Sequence, residues 1–71
     1  MNMKVLNEEL KRNIRESLVY AIHSSSLQTW QKRLLIAEFY HSLNRKYLLL
    51  NYEVDDEIEK AIKQLTALEK I

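Results

Sequence analysis

The 71-residue chain contains no glycine, no proline and no cysteine. Each absence removes a class of structure. Without glycine there is no easy source of positive φ. Tight primed hairpin turns and glycine-rich phosphate loops are therefore disfavoured. Without proline, nothing interrupts a helix by removing a backbone donor. Without cysteine there are no disulfides and no thiolate metal sites, which fits a reducing compartment. Long hydrophobic runs are also missing. No aliphatic run exceeds the four residues 34–37, far short of the roughly 20 that span a bilayer. No secretory h-region follows Met1. The expected location is the cytoplasm.

What is present favours helices. Apolar residues make up 46% of the chain and charged residues 30%, a globular mixture with room for one domain. A core of this size supplies only about 3–5 kcal/mol, so regular packing, self-association or a partner is expected to add to it. Net charge is +1 but unevenly spread. Residues 24–50 carry Lys32, Arg33, Arg45 and Lys46 against Glu38 alone, whereas residues 51–71 hold six acidic side chains against three lysines.

Leu6, Leu10, Ile14, Leu18 and Ile22 recur every four residues and predict a first helix near 4–23, with Asn2 or Asn7 as its cap. Ser24, Ser25 and Ser26 break the pattern. Ser25 followed by Gln28 matches a capping box, so a second helix is expected from about Ser26. It carries Leu27, Trp30, Leu34, Ala37 and either His41 or Leu43 on one stripe, while Leu35, Ile36, Phe39 and Tyr40 occupy other faces. A helix apolar on so many sides is expected to be buried by several neighbours, hence central, with Trp30 and Phe39 in the core. Its end is ambiguous. It runs to Leu50, or breaks near Ser42–Asn44, or gives way to a strand in which Leu48, Leu50, Tyr52 and Val54 alternate with Leu49, Asn51 and Glu53. The last segment, near 52–70, has a heptad-like seam at Val54, Ile58, Ala61, Leu65 and Leu68. Asp55, Asp56 and Glu57 in its first turns complement the helix dipole. The expected fold is all-α, a small antiparallel three-helix bundle over residues 1–71, completed by homodimerisation.

Chemistry-bearing motifs are sparse. Dinucleotide and P-loop fingerprints need glycine. His23 and His41 lie on different predicted helices, and Glu38 near His41 makes two candidate metal ligands where zinc takes three or four. The serines read as caps, because no His–acid pair can be placed beside them. No catalytic, cofactor or metal residue is therefore assigned, and the chain reads as a non-enzymatic protein-interaction module, a regulator or inhibitor acting through helix surfaces. Tyr and Arg are favoured interface anchors, which makes Tyr40, Arg45, Lys46, Tyr47 and Tyr52 the candidate partner-binding residues. Two alternatives stand beside it. One is nucleic-acid binding through Lys32, Arg33, Arg45 and Lys46, although the isoelectric point of about 8.0 is low for such a domain. The other is a structural self-assembly unit.

Overall fold

A computed structural model describes residues 7–46 and 51–70, and three helices account for nearly all of them. They are α1 (Glu8–His23), α2 (Thr29–Lys46) and α3 (Asn51–Glu69). The chain runs up, down and up. Lys11 and Arg15 of α1 reach Glu53 and Glu57 of α3 in the same order, so these helices are parallel. Thr29 and Lys32, at the start of α2, meet Glu69 at the end of α3, so α2 is antiparallel to it. The small all-α bundle is thus as expected, with sequential neighbours antiparallel.

Asn7 starts α1. Its backbone is extended, and its side-chain oxygen accepts a 2.7 Å hydrogen bond from the Leu10 amide. Glu8 and Glu9 then sit in the first turn, where the helix dipole favours acidic groups. The serines do something other than start α2. Ser24 Oγ donates to the Tyr20 carbonyl at 2.9 Å, and Ser25 Oγ donates to the Ile22 carbonyl at 2.7 Å. Both hydroxyls add a second donor to carbonyls at the end of α1 that already accept the Ser24 and Ser25 amides at 3.1 Å. Helix α2 therefore begins at Thr29, three residues later than the sequence suggested. Gln28 takes the cap position, and its amide donates to Gln31 Oε1 at 2.9 Å.

The core gathers Val19 and Ile22 from α1, Ile36 and Tyr40 from α2, and Val54, Ala61 and Leu65 from α3. The α3 seam is as anticipated: Val54, Ala61 and Leu65 are core, and Ile58 and Leu68 pack against it. Ala61, fully buried, lets a neighbouring helix approach closely. The central helix is α3, not α2. It packs against both others, while α1 and α2 touch least. Lys11 and Arg15 of α1 lean onto α3, where they pair with Glu53 and Glu57.

Helix α2 is inverted relative to the sequence reading. The stripe through Trp30, Leu34, Ala37 and His41 does not enter the core. Ile36 and Tyr40 do, with Phe39 and Leu43 packed beside them. The Phe39 and Tyr40 rings meet edge to face, 5.3 Å between centroids and 86° between planes. The inward set is bulky at every turn, whereas the outward one is interrupted by Ala37 and His41. More apolar volume is buried this way round. The helix-or-strand question falls mostly on residues 47–50, outside the described residues. Tyr52 and Val54, the other half of that alternation, are helical in α3. Residues 4–6 of the first predicted helix also lie outside.

Candidate interaction surface

The outward face of α2 carries the largest exposed apolar side chains that lie together. Trp30 is 65% exposed, Leu34 53% and Leu35 40%. Leu27, just ahead of the helix, folds onto the same face, and these four line one shallow depression with Gln31. Together they leave on the order of 400 Å² of apolar surface in water, about half of the roughly 800 Å² that one partner contributes to a standard interface. Isolated exposed leucines are ordinary; a contiguous patch of about this size is typical of the largest on a monomer, and such patches are often functional.

The stripe is also regular. Trp30, Leu34, Ala37 and His41 follow 4-3-4 spacing, the seam geometry of helices that pack knobs into holes. Arg33 flanks it on one side and Glu38 on the other. Both are exposed, and neither makes an ion pair among the described residues.

The sequence-derived aromatic and basic surface is not assembled as expected. Tyr40 is 1% exposed and belongs to the core, so it offers nothing to a partner. Arg45 is exposed. Lys46 closes α2, and its side chain and all of Tyr47 lie outside the described residues. Tyr52 is 70% exposed in the first turn of α3, where it borders a depression shared with Glu8, Lys11, Glu53, Asp56 and Lys60. That setting is mixed in charge and acid-rich rather than basic.

The four cations proposed for nucleic acid also separate. Lys32 is buried; its ammonium donates to the His23 carbonyl at 3.3 Å and lies 3.7 Å from Glu69. It ties the end of α1 and the end of α3 to the start of α2 and is spent inside the fold. Arg33 and Arg45 remain on the surface.

A polar layer that sequence reasoning missed lies between α1 and α3. Arg15 donates to Glu57 at 2.7 Å and through Nε to Gln64 at 3.0 Å. Lys11 donates to Glu53 at 2.7 Å and to Glu8 at 3.2 Å. Glu57 is buried, with Lys60 a more distant second cation at 3.9 Å. The signal was available: Lys11 and Arg15, like Glu53 and Glu57, are spaced by four and so share helix faces. Which faces would meet is a tertiary fact. Near this layer the Tyr40 hydroxyl is buried without a partner among the described residues. Burial, and secondarily the charge of Glu57, push its pKa up to about 12, against an opposing pull from Arg15.

Among the described residues no group of three or more His, Cys, Asp or Glu side chains could hold a metal ion, and no helix is long and apolar enough to cross a membrane. Comparison with protein-family models, with curated proteins and with solved structures gave no match.

Proposed function

We propose that this chain is a non-catalytic protein-interaction module, regulatory in role, whose binding surface is the outward face of α2. The observation that carries the reading is the exposed stripe of Leu27, Trp30, Leu34 and Leu35 on a helix whose other side already fills the core. A stripe on a convex helix with heptad-like spacing fits best against another helix bearing its own apolar seam. The occupant is therefore an amphipathic helix rather than an extended peptide or a small molecule. Trp30 at the centre supplies the large aromatic anchor that dominates such contacts. A cysteine-free chain suits an encounter in the cytoplasm.

The test is a photo-reactive residue placed at Gln31 in the native cell, with the same residue at exposed Glu59 on α3 as control. Cross-links are expected from position 31, to helical segments, and not from position 59. Leu34→Glu should abolish them while leaving the monomer folded, because Leu34 is a surface residue and such substitutions shift stability by within about 0.5 kcal/mol. Equal cross-linking from both positions, or none from position 31, would refute the assignment of the surface.

A further inference from the structure

We infer that the helix occupying this face is α2 of a second copy, packed in parallel about a two-fold axis that runs alongside the two helices. The inference rests on the reading of α2's outer face as a binding surface and adds the partner and its direction. Its ground is the charge pattern beside the stripe. When Trp30, Leu34, Ala37 and His41 form the seam, Arg33 precedes Leu34 on one flank and Glu38 follows Ala37 on the other. They are five residues apart, the separation at which flanking residues of two parallel helices meet across a seam. Each Arg33 then faces the second copy's Glu38, and symmetry makes the pair twice. An antiparallel arrangement sets like flanks together, Arg33 towards Arg33 and Glu38 towards Glu38. The only charges bordering the apolar half of the stripe thus favour the parallel arrangement and oppose the other.

Area agrees with a modest affinity. Leu27, Trp30 and Leu34 lie on or beside the seam and Leu35 outside it, so the apolar contact is less than half of a standard interface, bordered by the stems of Arg33, Gln31, Glu38 and His41. Burying Trp30 against its counterpart also resolves the mismatch between a core-sized aromatic and its exposed position. The bundle interior is undisturbed: Ile36 faces away from the seam, and Tyr40, one heptad beyond Arg33 on the same flank, is already buried in the core.

The absence of cysteine makes the test direct. Sedimentation of the purified chain over micromolar to millimolar concentration should show a monomer–dimer equilibrium, with Trp30 emission shifting to the blue as dimer forms. Arg33→Glu or Glu38→Arg alone should weaken the dimer roughly tenfold, through two lost and two repulsive pairs. The double exchange R33E/E38R should restore it to within about twofold. The single-cysteine variant His41→Cys should form a disulfide-linked dimer on mild oxidation. An antiparallel pairing centred on the apolar half would hold the two copies of position 41 on the order of 27 Å apart and prevent it.

A chain that stays monomeric to millimolar concentration, or a double exchange no better than the single ones, overturns the inference. If the purified chain is monomeric while Leu34-dependent cross-links persist in the cell, self-pairing fails and the binding surface stands. If both disappear, both fail.

Discussion

The Arg15–Glu57 pair latches α1 to α3, and Arg15→Met tests it. The substitution keeps the length of the side chain and removes its charge. Glu57, whose side chain is 4% exposed, is then left with Lys60 at 3.9 Å as its remaining cation. Breaking a buried ion pair from one side costs about 3–5 kcal/mol, because the surviving charge is uncompensated. Lys60 is half-exposed and can swing inward, which places the cost near the lower end, about 3 kcal/mol. A domain of this size holds only about 3–5 kcal/mol in total. The variant should therefore sit close to its unfolding midpoint at 25 °C. Removing both charges, as in R15M/E57L, is expected to return stability to within about 1 kcal/mol of the parent, since apolar replacement of a buried pair is often neutral or better. Urea unfolding followed by circular dichroism reads all four corners of the cycle. Where the single variant is largely unfolded, trimethylamine oxide brings the transition back into range. A coupling energy above about 2 kcal/mol is expected. If Arg15→Met costs less than about 1 kcal/mol, or if the double variant is no better than the single one, the latch is not a buried pair and the proposed docking of α1 on α3 is wrong.

Tyr40→Phe should stabilise the protein by about 1 kcal/mol, measured by the same unfolding curve, because it removes a buried hydroxyl without a partner and keeps the ring contact with Phe39. Tyr40 also sets an alkaline limit. Its pKa is about 12 in the fold and about 10 when unfolded, so its contribution is fully present below pH 10 and is lost as pH rises through 12. Lys11, held above its ordinary value chiefly by its hydrogen bond to Glu53, adds loss of the same sign; a pH series of wild type against Tyr40→Phe should show the variant losing less stability between pH 10 and 12. Asn7→Ala should cost about 1 kcal/mol and lower the helicity of α1 by circular dichroism, through loss of the cap to Leu10. Ala61→Leu should cost about 1–3 kcal/mol in thermal melts, since a fully buried alanine between helices leaves no room for three more carbons.

Although on α1 the core takes Val19 from beside the stripe and leaves Leu10 43% exposed, helix number and direction are legible in the sequence because α1 and α3 each carry an apolar stripe. Val54, Ala61 and Leu65 illustrate this: their spacing alone puts them inside, and the fold agrees. Helix α2 is less legible for the opposite reason. It has two competing stripes, and periodicity cannot rank them. The ranking comes from volume, Ile36, Phe39, Tyr40 and Leu43 against Trp30, Leu34, Ala37 and His41, and from the reach of Lys32 to Glu69. The serine segment misleads in a related way. A serine hydroxyl can serve the helix behind it or the one ahead, and Ser24 and Ser25 serve the one behind.

The same ambiguity explains why the candidate surface moves. Aromatic and basic residues concentrate in the middle third of the sequence. Whether each is available depends on which stripe of α2 turns inward. Once Tyr40 is inside, the aromatic surface loses an anchor, and once Lys32 is tied to His23 and Glu69, the basic surface loses a cation. The inward choice that removes Tyr40 is the choice that exposes Trp30 and Leu34. Burying one stripe in the monomer leaves the other exposed, and among the described residues no further element covers it. The excess of apolar residues on α2 is thus a single fact with two consequences, a core held by α3 and an outer seam whose natural cover is another helix.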